Sequence, residues 1–177
     1  MHFSIRQAGF AGAFALLAAL AAASGPATAQ QTQRQGAQKP VIGACMGCLH
    51  KYTQADVMAL LKDEGYGSVR LSKKGLVLFK ADGATMGVKV TKSHSLVYLF
   101  VHGKMPLPLK AVNTWNLKSI YSKAVVSPKG TNILRATLPG GGGLSKKTVA
   151  VMTKLFSRFL VPQFVKFYRE QMAAAKN

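Results

Sequence analysis

Acidic side chains are scarce in this chain of 177 residues, in which five Asp and Glu stand against 24 Lys and Arg and give a formal net charge of +19. With so few carboxylates, a pair of acidic residues that acts in general acid and base catalysis is not expected. No grouping of His, Ser and Asp or Glu has a suggestive spacing, and no cofactor fingerprint is present. We therefore expect a protein that is not an enzyme and that carries no cofactor.

Long apolar runs are also missing, because the longest, residues 8–23, is shorter than the roughly 20 residues that span a bilayer. Arg6 precedes this run, a Gly-Pro pair breaks it at 25–26, and small residues lead to a cleavage point between Ala29 and Gln30. These features are typical of a secretory signal peptide, the alternative being a transmembrane anchor. We expect a periplasmic or secreted protein.

The remaining chain divides by composition into three parts. Residues 30–44 begin with a polar, Gln-rich stretch that predicts a disordered leader. Residues 45–172 are predicted to form a single α+β domain, which leaves 173–177 as a C-terminal tail.

The positive charge predicts attraction to polyanions. For an exported chain these are anionic lipid, lipopolysaccharide, acidic polysaccharide or an acidic protein; nucleic acid is not expected, since such a chain rarely meets it. Basic residues form doublets only at 73–74 and 146–147 and are otherwise scattered. The simpler interpretation is a generally cationic, solvated surface.

Hydrophobic periodicity predicts a short helix over 53–64, opened by a Thr53–Asp56 capping box and closed by Gly65. Short alternating or apolar runs predict antiparallel strands, with the run 96–101 at the centre of the sheet. These strands are predicted at 68–72, 76–80, about 85–90, 96–101, 120–126 and 132–138.

Two further helices are predicted, one over 109–118 and a long one that starts at the cap Ser145. An apolar stripe along the second, which includes Phe159, is expected to pack across the sheet, although a cationic amphipathic helix can also lie on a membrane. Pro162 predicts a kink. The fold class is therefore α+β, with an antiparallel sheet of about six strands packed by N-terminal, middle and long C-terminal helices.

Cys45 and Cys48 form a Cys-x-x-Cys pair, with His50 two residues further on. In an exported protein this spacing allows a small disulfide, a redox pair or two ligands of a metal site. Covalent haem attachment would need His directly after the second Cys, where Leu49 stands. We take a disulfide that closes a tight loop as the leading hypothesis.

A glycine run at 140–143 precedes the last helix, and open amides at a helix start can hold an anion. The phosphate-loop pattern is absent, because Leu144 and Ser145 follow the last Gly. The run predicts a strand-to-helix turn, with Ser145, Lys146 and Lys147 as candidate anion contacts.

The residues Asn113, Trp115 and Asn116, together with the helix from Thr53 and the glycines before the last helix, resemble the YbjN-like family of bacterial sensory transduction regulators. The residue types themselves suggest a structural role, with Trp supplying apolar surface and Asn satisfying backbone groups. The resemblance implies a fold like that of type III secretion chaperones, which bind protein partners and have no catalytic centre.

Two functional hypotheses follow from the sequence. The first is an exported, non-enzymatic, chaperone-like or regulatory module that binds an envelope protein, as a monomer or a homodimer. The second is a cationic module that binds envelope polyanions such as anionic lipid, lipopolysaccharide or polysaccharide. Thiol redox chemistry or metal binding through Cys45 and Cys48 is a third.

Overall fold

The structure, a computed structural model, describes residues 48–49 and 51–175, which lie within one compact unit, Pro40–Asn177. The predicted signal peptide, the leader and Cys45 lie outside the described residues. The disulfide and the domain bounds therefore stay predictions.

Along the described chain, helices are interspersed with strands, most of which form one antiparallel sheet. Its elements are β1 (Cys48–Leu49), α1 (Gln54–Asp63), β2 (Gly67–Leu71), β3 (Leu76–Ala81), β4 (Ala84–Val90), β5 (Leu96–His102), α2 (Leu109–Lys118), β6 (Lys123–Val126), β7 (Asn132–Leu138), β8 (Leu144–Ser145), α3 (Lys146–Leu155), a π-helical segment (Phe156–Leu160) and α4 (Val161–Ala174). The predicted α+β class is confirmed.

Six strands form one sheet in the order β2-β3-β4-β5-β7-β6, and each neighbouring pair is antiparallel. β5 lies between β4 and β7, as its continuous apolar sequence predicts. One face of the sheet carries the core with the helices, including the fully buried Phe79, Tyr98 and Leu134. The alternate side chains project from the other face, which no helix covers in the described part of the chain.

Local sequence signals explain where elements begin and end. Thr53 and Asp56 form the predicted capping box: the Thr53 Oγ1 accepts from the Asp56 N–H at 3.2 Å and the Asp56 carboxylate accepts from the Thr53 N–H at 2.8 Å. Between β3 and β4, Asp82 and Gly83 take φ of +47° and +76°, the left-handed pair that a tight two-residue hairpin needs.

The C-terminal helix changes its hydrogen bonding in the middle. Ser145 caps α3 by accepting from the Thr148 N–H at 3.0 Å. Pro162 has no N–H to donate, and the π-helical segment ends at Leu160, two residues before it, with the Val161 N–H bonded to the Phe156 carbonyl. The irregularity predicted at Pro162 is thus a π-helical turn.

Three features differ from the sequence-based predictions. β6 starts at Lys123, so residues 120–122 lie outside the strand. Phe159 was expected in the core, yet 58% of its surface is exposed, because the π-helical turn alters the phase of the apolar stripe. The two-residue pair of β1 with β8 was not predicted, since so short a ladder has no periodicity.

No helix in the described residues has the length and apolar character to span a membrane.

Candidate partner-binding groove

Trp115 joins the middle helix to the C-terminal helix. Its buried ring lies edge-on to Phe164, with centroids 5.2 Å apart, and tilted against Phe167 at 5.3 Å. Its indole N–H donates to the Ser122 hydroxyl at 3.3 Å. The side chain therefore fixes α2 against α4 and also holds the chain just before β6.

Asn116 fixes the position of β6. Its side-chain amide accepts from the Ala124 N–H at 2.7 Å and donates to the Ala124 carbonyl at 3.1 Å. Lys123 strengthens the junction, because its ammonium group donates to the Asn116 carbonyl at 2.8 Å. Asn113 is exposed on α2, and its side chain has no hydrogen bond within the described part of the chain.

Because α2 and Asn116 hold β6 from Lys123 onward, the two preceding apolar residues are displaced from the sheet. Ile120 is 86% exposed and Tyr121 is 60% exposed. The pattern of the run 120–126 predicted a longer strand, so sequence reasoning missed this displacement. The only sequence signal for it is the short distance between the end of α2 and the run.

An apolar groove of about 560 Å³ lies between this displaced segment and α3. Its lining includes Ile120, Tyr121, Leu138, Val151 and Leu155. Val151 and Leu155 are one helical turn apart, and Val151 is 57% exposed. The cation Lys147 also lines the groove.

A second cavity of about 380 Å³ adjoins the first, and Ile120, Tyr121 and Thr137 line both. Lys123 and Arg135 are paired directly across β6 and β7 and line this cavity. The Arg135 side chain points away from the helices, since strand side chains alternate and the adjacent Ala136 is buried on the helical side. The Lys123 ammonium group instead donates to the carbonyls of Asn116 and Ser119 at the end of α2. The segment 120–121 therefore separates an apolar groove from a cationic cavity.

The predicted anion contacts do not form one cluster. The Ser145 hydroxyl is used in the cap of α3, and Lys147 lines the apolar groove. Lys146 instead lines a small cavity together with Asp56 and Asp63. Anion binding at these residues stays a prediction.

The predicted cysteine site is described only in part. Cys48 lies in β1, opposite Ser145 of β8, whereas Cys45 and His50 lie outside the described residues. Among the residues that the structure describes, no three His, Cys, Asp or Glu side chains gather in a way that could hold a metal ion. The disulfide, redox and metal hypotheses remain untested.

Titratable groups with shifted pKa values have evident structural causes. Burial raises the pKa of Tyr98, whose hydroxyl bonds with that of Thr153, and burial also lowers the pKa of His102. Hydrogen bonds from Thr53 lower the pKa of Asp56. None of these three groups lines the apolar groove.

The family model named YbjN, described as "Putative bacterial sensory transduction regulator", matches residues 54–159. The chain belongs to the YbjN family. The matched region runs from α1 into the π-helical segment and includes the Trp115 and Asn116 junction together with Ile120 and Tyr121. The resemblance predicted from the sequence is confirmed.

Two solved structures are similar to this YbjN-family chain. The crystal structure of YbjN from E. coli is 13% identical, with a TM-score of 0.47, and the match covers 72% of this chain and 90% of that one. The Yersinia pestis type III secretion chaperone SycH, solved in complex with a stable fragment of YscM2, is 15% identical, with a TM-score of 0.48, and the match covers 65% of this chain and 99% of that one. No curated protein matches the chain.

Proposed function

We propose that this YbjN-family chain is a non-enzymatic regulatory module of the bacterial envelope that holds a polypeptide partner in the groove between residues 120–121 and α3. The single observation that carries the proposal is the apolar groove, whose two walls present the exposed side chains Ile120 and Val151. Apolar side chains clustered in a surface groove mark a site where a partner is bound.

The arrangement is held by the junction that the family motif builds. Trp115 and Asn116 fix α2 and the start of β6, and that junction leaves Ile120 and Tyr121 exposed beside α3. The groove is thus preformed by packed elements, which lowers the ordering cost of binding. Membership of a family described as sensory transduction regulators supports the regulatory part of the proposal.

The envelope location rests on the signal-peptide pattern of residues 1–29. Expression of the full chain in a Gram-negative host should yield a periplasmic or secreted protein whose N-terminus is Gln30. An intact N-terminus in the cytoplasmic fraction would contradict export.

Site-specific photo-crosslinking in cells tests the binding surface. A photoreactive residue is placed at Ile120 or Val151 and, as a control, at Lys74, which is exposed in the turn between β2 and β3. We expect discrete protein adducts from the two groove positions and not from the control. The adduct at Ile120 should disappear when Val151→Asp places a charge on the opposite wall. Adducts of equal yield at all three positions, or none at the groove, would refute the proposal.

A second candidate function is binding of envelope polyanions by the open face of the sheet. Four exposed cations project from this face: Arg70, Lys80, Lys89 and Arg135. No Asp or Glu belongs to the strands of the sheet. Binding to anionic phospholipid vesicles should weaken steeply with added salt and with Lys89→Glu, since exposed charges are screened. Binding that is insensitive to salt would exclude this function.

A further inference from the structure

β7 extends further than its neighbour β6. The last residue pair between the two strands is Lys123 with Arg135, whereas β7 continues to Leu138. Residues 136–138 of β7 therefore have β5 on one side and, in the described part of the chain, no strand on the other. This is the place where the displaced segment 120–121 would lie if β6 were longer.

The hydrogen-bonding phase of the sheet shows which backbone groups face this gap. Asn116 bonds to the N–H and carbonyl of Ala124, so these groups point away from β7. In an antiparallel pair of strands, hydrogen-bonded and non-hydrogen-bonded residue pairs alternate. Because Ala124 is in a non-hydrogen-bonded pair, the neighbouring pair of Lys123 with Arg135 is hydrogen-bonded. The hairpin bond from the Ser127 N–H to the Thr131 carbonyl, 2.9 Å, gives the same phase.

Thr137, two residues after Arg135, has the same orientation. Its N–H and carbonyl point toward the gap, and no described residue forms a hydrogen bond with either group. Thr137 also lines both the apolar groove and the cationic cavity. Within the described part of the chain, the gap therefore contains one donor and one acceptor without a partner, spaced as an incoming strand would need them.

The two sides of the gap differ in chemistry. On the helical side lie Leu138 and, from α3, Val151 and Leu155. On the open side lies Arg135, whereas Lys123, its partner across the two strands, donates its ammonium hydrogens to the Asn116 and Ser119 carbonyls. The ion pairs among the described residues are Lys154 with Glu64 and Lys166 with Glu170, so neither of these two cations has a carboxylate partner.

We infer that the partner adds an extended segment with the sequence apolar–acidic–apolar to the free edge of β7, with its acidic residue opposite Thr137. This inference rests on the proposed function. The residue opposite Thr137 shares its two backbone hydrogen bonds and points to the open side, toward Arg135. The residues before and after it point into the apolar groove.

Charge identifies the occupant as another protein. The first acidic residue of this chain is Asp56, so no segment before α1 supplies the required carboxylate. A second copy carries the same excess of 24 basic over five acidic residues and is repelled. An acidic strand from a partner satisfies both the Thr137 peptide groups and the charge of Arg135, none of which has a partner among the described residues.

A set of blocked peptides tests the inference on the exported protein. The probe is acetyl-Ser-Thr-Val-Glu-Ile-Thr-Ser-amide, followed by nuclear magnetic resonance of the Thr137 amide and by its hydrogen exchange. We expect the Thr137 N–H to exchange rapidly in the free protein and to become protected as the peptide saturates. Replacing Glu by Lys in the peptide should weaken binding by about tenfold or more, because a charge-assisted contact becomes a repulsion.

Two matched comparisons make the test specific. N-methylation of the peptide Glu removes the donor to the Thr137 carbonyl and should abolish binding, whereas N-methylation of the preceding Val, whose N–H faces away, should leave binding within about threefold. The substitution Arg135→Glu should reverse the preference, so that the Lys peptide binds better than the Glu peptide. Lys74→Glu, the same charge change at a distant turn, should leave the preference as it is.

Several outcomes would overturn the inference. One is a Thr137 amide already protected in the free protein, which would mean that the chain closes the gap itself. Another is equal binding of the two N-methylated peptides, which would mean that no strand pairs here, and a third is no response at Thr137 to any peptide. If any of these three results comes with photo-crosslinked adducts that persist at Ile120 and Val151, the proposed function stands and only the strand pairing is wrong. Absence of those adducts would refute the function itself.

Discussion

The side-chain amide of Asn116 occupies the position of a neighbouring strand beside Ala124. It accepts from the Ala124 N–H at 2.7 Å and donates to the Ala124 carbonyl at 3.1 Å, so both edge groups of that residue are satisfied. An exposed strand edge is a site of unwanted pairing, and here a helix covers it. The consequence is that β6 is closed at Ala124, whereas no described residue pairs with the outer edge of β7 at Thr137.

Removal of the Asn116 amide should destabilise the fold. We expect Asn116→Ala to lower the free energy of unfolding by about 1–2 kcal/mol, since two half-buried backbone groups lose their partner. Asn113→Ala is the matched control, because it changes the same residue type in the same helix at an exposed position whose side chain bonds to no described residue. It should stay within about 0.5 kcal/mol of the wild type in urea unfolding. Equal losses in the two variants would contradict the role of the amide.

Two buried tyrosines should respond in opposite directions to removal of the hydroxyl. The Tyr98 hydroxyl bonds to the Thr153 hydroxyl at 3.1 Å, so Tyr98→Phe should cost about 1 kcal/mol. The Tyr52 hydroxyl is buried with no hydrogen-bond partner among the described residues, so Tyr52→Phe should be neutral or stabilising by up to about 1 kcal/mol. Thermal and urea unfolding of both variants measure the difference. A destabilised Tyr52→Phe would show that its hydroxyl is satisfied in solution.

Gly83 and Gly103 have the same φ of +76°, so substitution of each by Ala distinguishes the cost of backbone strain from the cost of steric overlap. Ala at Gly83 meets no atom within 4 Å, so Gly83→Ala should cost only the left-handed conformation, about 1–2 kcal/mol. Ala at Gly103 would overlap the ring of Tyr168, whose hydroxyl donates to the Met105 carbonyl at 3.1 Å. Gly103→Ala should therefore cost about 1–3 kcal/mol more than Gly83→Ala. Equal unfolding free energies for the two variants would show that Tyr168 moves aside freely.

His102 should make stability dependent on pH. Burial, and then the charge of Arg169, lower the pKa of His102 below its ordinary value of 6.5. The folded state thus binds the proton less well than the unfolded state, so the stabilisation is present above pH 6.5 and declines as pH falls toward the folded pKa. The ring lies against Phe100 and Tyr168 at centroid distances of 5.6 and 5.0 Å.

The comparison of wild type with His102→Phe isolates this effect, because Phe keeps a ring and does not titrate. Urea unfolding at intervals between about pH 8 and pH 5 should show the stability of the wild type falling relative to the variant in acid. A constant difference between the two proteins across that range would contradict the lowered pKa.

Much of the fold follows from local patterns in the sequence. The capping box at Thr53, the Asp82 and Gly83 turn and the helix over 109–118 depend on residues close in the chain, and the structure has each of them. The central place of β5 follows from a run that is apolar on both faces. These signals are short-range, so periodicity and turn chemistry suffice to predict them.

The candidate groove could be predicted only in part. Trp115 and Asn116 were recognised as structural residues of a family motif, but their partners Phe164 and Ala124 are set by packing. The run 120–126 has the apolar character of a strand throughout, and nothing in its sequence separates Ile120 from Val125. The start of β6 at Lys123 depends on where α2 docks.

The sequence by itself determined the positive charge, the α+β order of elements, the family and the pattern of an export signal. Only the tertiary structure decided which apolar residues are left without a place in the core. By residue type, buried positions would suit Ile120, Val151 and Phe159, yet all three are exposed. The causes are the Asn116 contact, the difference in length between β6 and β7, and the π-helical turn. The physical reason is that burial depends on contacts between distant segments, whereas composition and periodicity describe neighbours along the chain.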